Sequence, residues 1–262
     1  MPRFSVNIST MFTEHDFLDR FRIAKKYGFS AVEIQFPYEF PLTKVLAAKE
    51  SAGVEITLIN IGAGDLTTGG PGIAAYPGRE EQFKVSVEEA YKYADSLKPT
   101  SVNVLAGAPS LEKFERRQCL DVLASNLYYA AEAFEKIGTK VLTEAVNTND
   151  RPGFLLNSTA AAIEIIERSG HKNLAIQYDV YHMQIMEGNL VNTIRDNLDQ
   201  IGHIQFADTP GRHEPGTGEI NFPNLFDAID TMGWKGWLGA EYIPSKRTEE
   251  TLGWMPGLAT SI

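Results

Sequence analysis

Two hydrophobic periods take turns along this chain, one of about two residues and one of about 3.6. Residues 4–8 alternate apolar and polar side chains as a strand does. Residues 16–27 then carry Phe17, Leu18, Phe21, Ile23 and Ala24 ahead of Gly28, the spacing and terminator of an amphipathic helix. The exchange repeats, predicting strands over 31–36, 54–60, 101–106, 140–146, 201–208 and 236–243, with a further strand opening the stretch 174–182. Between them the pattern predicts helices over 42–52, 79–97, 111–137 (with a break near 111–113), from Ser158 to about Gly170, 190–198 and 223–232. Eight strand–helix units in about 250 residues are the arithmetic of a (β/α)8 TIM barrel. An open doubly wound sheet would more often show a nucleotide-binding turn after its first strand, and no such turn is present. No Pro-, Gly- or Ser-rich linker divides residues 1–262, so one barrel domain is expected.

Residues 61–77 interrupt this rhythm. They hold Gly62, Gly64, Gly69, Gly70, Gly72, Pro71 and Pro77, too many breakers for a helix in a segment too long for an ordinary connection. The segment is expected to form a lid or a wall over a pocket. Its glycine spacing fits neither phosphate-binding pattern.

The chemistry sits where strands should end. Residues 174–182 read Leu-Ala-Ile-Gln-Tyr-Asp-Val-Tyr-His, an apolar run that finishes in Asp179 and His182. A carboxylate at the edge of an apolar run needs a salt bridge, a hydrogen-bond network, a cation or a substrate. Three neighbouring strands repeat the form, with Glu144, then Gln205 and Asp208, then Glu241. Parallel strands of a barrel present all their C-terminal ends on one face, so these residues are expected to converge. Glu144, Asp179, Gln205 and Glu241 make a hard, oxygen-rich set that suits a divalent cation such as Mg2+ or Mn2+ better than zinc.

His182 could face a substrate or a metal as readily as pack in place, and His203 shares a strand face with Gln205 and is left unassigned. Arg212 could grip a carboxylate through its planar guanidinium, or pair at the surface with Glu214 or Glu219. Two glutamates beside a cation that ligates a carbonyl and its neighbouring hydroxyl suggest proton transfer through an enediolate, in an isomerisation or an epimerisation.

Bulk properties narrow the partners. A formal charge of −10 with no basic stripe argues against a nucleic-acid surface. No apolar run reaches the ~18 residues of a membrane span. The single cysteine, Cys119, can make no internal disulfide, and without a leader at the N-terminus the simplest setting is a reducing cytoplasm. A small acidic carbonyl compound is the expected partner, and a homo-oligomer is left open.

The whole chain resembles the hydroxypyruvate isomerase family within the xylose isomerase-like TIM barrels. The resemblance is carried by Arg3-Phe-Ser-Val-Asn-Ile-Ser9, Phe36-Pro-Tyr38, Pro77-Gly-Arg-Glu80, Ile176-Gln-Tyr-Asp-Val-Tyr-His-Met-Gln184, Met186-Glu-Gly188 and His213-Glu-Pro-Gly-Thr-Gly-Glu-Ile-Asn221, and it runs on through Glu241-Tyr242 to Gly253-Trp254. It implies reversible conversion of hydroxypyruvate to 2-hydroxy-3-oxopropanoate, tartronate semialdehyde. Glu144 and Glu241 would be the proton-transfer pair, completing a metal site with Asp179 and Gln205. By similarity to ketose epimerases, His182, Arg212 and Asp150 would meet the substrate. Those epimerases have a histidine where this chain has Gln205. A sister branch isomerises 2-oxo-tetronates with the same glutamates. Abasic-site endonucleases of the same barrel hold several zinc ions with many histidines, and this acidic chain has five histidines in all. A sugar-acid binding protein without turnover is the non-enzyme alternative.

Overall fold

A computed structural model describes residues 2–255. Eight strands, β1 (Arg3–Asn7), β2 (Ala31–Ile34), β3 (Glu55–Asn60), β4 (Ser101–Val104), β5 (Lys140–Glu144), β6 (Leu174–Asp179), β7 (Ile201–Phe206) and β8 (Trp237–Ala240), pair in chain order and in parallel. The eighth closes on the first, with Phe4 opposite Leu238 and Val6 opposite Ala240. The helices are α1 (Phe17–Lys26), α2 (Leu42–Ala52), α3 (Glu80–Leu97), α4 (Arg116–Glu135), α5 (Thr159–Ser169), α6 (Val180–Met186), α7 (Leu190–Asp196) and α8 (Phe222–Thr231). This is the (β/α)8 barrel that the periodicity predicts. Among the described residues, no helix is long and apolar enough to cross a membrane.

The main core lies between the strands and the helices. In α3, Phe83, Val87, Ala90, Ala94 and Leu97 fall on one stripe and are all buried, while α8 buries Phe222, Leu225, Phe226 and Ile229. Each large side chain so buried contributes about 1.5–3 kcal/mol. Helix ends are fixed locally: the Ser158 hydroxyl accepts the Ala161 N–H at the start of α5, and Gly170 ends it in the left-handed conformation.

Inside the barrel the arrangement differs. A small apolar plug of Leu58, Leu142 and Ala175 stands apart from the main core. Gly202 makes room for it, since a Cβ there would lie 2.6 Å from Leu142 and 2.9 Å from Ala175. Most of the remaining interior is polar and buried, including Ser5, Asn7, Glu33, Asn103, Gln177, His203 and Gln205. Buried polar groups are as a rule hydrogen-bonded, and this layer forms a network in which Asn103 Oδ1 and Gln177 Oε1 are left without a partner among the described residues.

The elements depart from the sequence reading at particular places. α4 begins at Arg116, so the break near 111–113 extends over the whole first turn of the predicted helix. Residues 61–77, read as free of helix, hold a 3-10 turn, Gly64–Thr68. His182 lies on α6, a seven-residue helix that the pattern does not anticipate. The Asp179 carboxylate creates that helix by accepting the Tyr181 N–H at 2.8 Å as its cap.

Candidate active site

Each of the four strand-end residues arrives at the C-terminal mouth of the barrel. Glu144 and Asp179 are the last residues of β5 and β6, Gln205 is the penultimate residue of β7, and Glu241 follows β8 directly. The register places Glu144 beside Gln177 and Asp179 beside Gln205. Glu144 and Glu241 both line one cavity of about 410 Å³, together with Asp150, His182 and Arg212. Asp179 and Gln205 are 1% exposed and do not line it.

A chain of close polar contacts crosses this mouth. His182 Nε2 lies 3.8 Å from Glu144 Oε1 and 3.5 Å from Asp179 Oδ2. Arg212 Nη2 then stands 3.3 Å from Asp179 Oδ2 and 2.5 Å from Glu241 Oε2. Arg212 therefore turns inward. Of the surface partners considered for it, Glu214 holds the Ser245 N–H and Glu219 accepts from Gln184. Asp208, also at a strand end, serves the loop instead, accepting the N–H groups of Thr209, Gly216, Gly218 and Ile220.

Neutral amides hold the acids in place. Asn103 and Gln177 donate to Glu144 Oε2 at 3.1 and 2.9 Å, while Asn7 and Gln35 donate to Glu241 Oε1 at 2.7 and 3.0 Å. Gln205 accepts from Gln177 Nε2 at 2.6 Å and donates to Glu33 Oε2 at 2.7 Å. Glu33 is fully buried; Ser5 donates to its Oε1 at 2.8 Å, and His203 Nε2 stands 2.7 Å from the same oxygen. His203 thus lines the barrel beneath the mouth, outside the cavity. Sequence reasoning missed Asn7, Glu33, Gln35, Asn103 and Gln177. Their signal is a polar residue two positions from another in, or one residue past, a short strand: Ser5 and Asn7, Glu33 and Gln35, Ser101 and Asn103, Gln177 and Asp179.

The Asp150 carboxylate reaches the cavity from the loop after β5. It accepts from Asn147 Nδ2 at 3.0 Å and from the Tyr181 hydroxyl at 2.9 Å. Burial would raise its pKa, but these donors outweigh burial and hold it below the usual carboxylate range. Residues 61–77 contribute Leu66 and Thr67 to the cavity lining. That segment is braced: the Asp65 carboxylate accepts from Gly72 N–H and from Arg79 at 3.0 Å each.

Crowding three carboxylates in a buried mouth has an electrostatic cost. Burial first, then Asp179 and Glu241, push Glu144 well above the ordinary carboxylate range. Burial pushes Glu241 up to about 7, with Arg212 opposing and Asp179 and Glu33 adding to the rise. Burial also drives His182 down to about 4. The Arg212 guanidinium is set against Glu144, Asp179 and Glu241; burial works against its charge, and the three acids outweigh that and raise its pKa.

Buried carboxylates of this kind fit a divalent cation, which would offset their mutual repulsion; among the described residues the compact group is Glu144, Asp179 and His182, and Glu241 is not part of it. Ligand atoms of Glu144, Asp179 and His182 lie within 4.8 Å of one another.

A closed (β/α)8 barrel with buried acids gathered at the strand C-termini has the architecture of a barrel enzyme. The sequence profile of the xylose isomerase-like TIM barrels matches residues 21–258, and the chain belongs to that family. It is 45% identical to the hydroxypyruvate isomerase of Escherichia coli K12, over 97% of this chain and 98% of that protein. It is 41% identical to the 2-oxo-tetronate isomerase of Cupriavidus necator, again over 97% and 98%. A crystal structure from Brucella melitensis described as AP endonuclease, family 2 superimposes with a TM-score of 0.93 at 38% identity, over 97% of this chain and 98% of that one. Within the family, the chain falls with the hydroxypyruvate and 2-oxo-tetronate isomerases.

Proposed function

We propose that the protein interconverts hydroxypyruvate and 2-hydroxy-3-oxopropanoate, with Glu144 and Glu241 as the proton-transfer pair. The observation that carries this reading is that both glutamates line one cavity, each fixed by a pair of neutral amide donors. One carboxylate removes a proton from C3 of hydroxypyruvate, the C3–H electron pair becomes the C2–C3 double bond, and the C2 carbonyl oxygen takes the charge. The other glutamate, which enters the step as the carboxylic acid, gives its proton to C2, and the C3 hydroxyl proton passes to the C2 oxygen, leaving an aldehyde at C3 and a hydroxyl at C2. Burial pushes Glu241 up and a bound cation would draw it back, and between the two a carboxyl group can give and take protons near neutral pH.

Glu144, Asp179, Gln205 and Glu241 would hold Mg2+ or Mn2+, which when bound would polarise the substrate carbonyl and offset developing negative charge. Arg212 pairs with the substrate carboxylate, and His182 and Asp150 meet its remaining oxygens. A reducing cytoplasmic setting accords with the lone buried Cys119.

The second reading is isomerisation of a 2-oxo-tetronate by the same groups. It is favoured by the 41% identity to the Cupriavidus necator enzyme, close to the 45% for the hydroxypyruvate isomerase. Phosphodiester hydrolysis, suggested by the description of the Brucella melitensis protein, accords poorly with a net charge of −10 and with five histidines in the whole sequence. A ketose 3-epimerase or a silent sugar-acid binder would share the cavity, and the latter would not need both glutamates. Parallel assays of hydroxypyruvate, 2-oxo-tetronates and free ketoses, with and without Mg2+ or Mn2+, test the reading. Preferred turnover of hydroxypyruvate supports it, and turnover of none of these compounds defeats it.

A further inference from the structure

We infer that Asn147 is a positioning residue that fixes His182 as the Nε2–H tautomer, making the imidazole a hydrogen-bond donor to substrate and keeping it out of the cation's ligand set. Asn147 lies in the loop after β5, fully buried, and neither its sequence position nor the proton-transfer scheme assigns it a part. Its amide orientation is set from two sides. Oδ1 accepts the backbone N–H of Asp150 at 2.8 Å, which only an oxygen can do. Nδ2 stands 3.0 Å from Asp150 Oδ2, a carboxylate oxygen that only accepts. The Asn147 nitrogen is therefore the atom that lies 2.7 Å from His182 Nδ1.

The tautomer follows. An amide nitrogen carries hydrogens and offers no lone pair, so His182 Nδ1 must be the acceptor in that contact, and a neutral ring then bears its proton on Nε2. The two Asn147 amide hydrogens are both used, one on Asp150 and one on His182. His182 Nε2–H points towards Asp179 Oδ2 and Glu144 Oε1, at 3.5 and 3.8 Å, too far for either to satisfy it well. It is a donor aimed at the space between the two acids. Proximity alone would count His182 among the ligands with Glu144 and Asp179. A protonated ring nitrogen has no lone pair for a cation, so oxygen atoms supply the coordination and His182 meets a substrate oxygen. A second ring of partners that sets tautomer and orientation commonly decides what a histidine does in such a site.

The tautomer rests on geometry alone, and only its use in turnover rests on the isomerase reading, so spectroscopy and kinetics fail separately. The test is 15N NMR of the histidine ring in the whole protein, first metal-free and then saturated with diamagnetic Mg2+. The expected result is a His182 ring protonated at Nε2 in both states, and an Nδ1–H tautomer or an Nε2 that loses its proton on Mg2+ addition would overturn the inference. Asn147→Ala supplies the second arm: the ring should no longer hold a single tautomer, and kcat for hydroxypyruvate should fall at least tenfold. Ring nitrogen signals unchanged in that variant would also overturn the inference. Should Asn147→Ala not fold, the wild-type spectra decide it.

Discussion

Arg212 and Glu241 form a 2.5 Å ion pair at the mouth of the barrel, and the same guanidinium nitrogen reaches Asp179 at 3.3 Å. In the proposed reading, a substrate carboxylate entering the cavity would meet a cation already positioned by two acids. Arg212→Ala should raise KM for hydroxypyruvate about 10- to 100-fold, the equivalent of losing one charge-assisted hydrogen bond of ~1.5–3 kcal/mol. Arg212→Lys should fall between the two, because a point charge lacks the planar fork. Steady-state kinetics check this, and an unchanged KM in Arg212→Ala would remove the clamp role.

The buried acid Glu33 has a requirement that Gly239 meets. A Cβ at residue 239 would lie 1.8 Å from Glu33 Oε1, on a strand flanked by β1 and β7. Gly239→Ala should displace Glu33 from Ser5, His203 and Gln205 and destabilise the fold by about 1–3 kcal/mol, as overpacking does. For a chain of this size that corresponds to a fall in Tm of roughly 2–12 °C. Calorimetry of the purified variant measures it, and an unshifted Tm would show that the network moves aside without cost.

Substrate length should respond to the wall built from residues 61–77. Leu66 lines the cavity and is 5% exposed, on a turn that Asp65 and Arg79 brace. Leu66→Ala should raise the kcat/KM ratio of a four-carbon 2-oxo-tetronate over hydroxypyruvate, by about tenfold if one methylene is accommodated. The ratio of the two kcat/KM values is the readout. No change would place the length determinant elsewhere on the lining.

Removal of divalent cations bears on the acid cluster itself. Dialysis against a chelator should abolish turnover, and Mn2+ or Mg2+ should restore it. Because a bound ion stabilises the folded state by mass action, about 2.7 kcal/mol at 100 times its Kd, Tm should rise with metal concentration. Full activity after exhaustive chelation would count against the cation.

The barrel was legible in the sequence because helices and strands differ in period, and the strand-end acids were legible because an acid closing an apolar run is conspicuous. Glu144, Asp179 and Glu241 fall at or just past the ends of β5, β6 and β8 for that reason. Glu33, Asn103 and Gln177 were not legible, because a polar residue inside a short strand reads as a solvent-facing position. Only closure of the barrel turns that face inward. His182 was visible as chemistry but not as helix, since α6 depends on the Asp179 cap rather than on periodicity. Asn147 gave no signal at all, because its part is to offer an N–H to the His182 ring in an orientation set by two hydrogen bonds to Asp150.

The central claim is that Glu144 and Glu241 pass the proton between C3 and C2, and isosteric replacement addresses it most directly. Glu144→Gln and Glu241→Gln, each shown to keep the wild-type circular dichroism spectrum and loaded with Mn2+, should lose about 10²–10⁴-fold in kcat for hydroxypyruvate, the range of a removed acid–base group. Turnover within a few-fold of wild type by either variant would contradict the account.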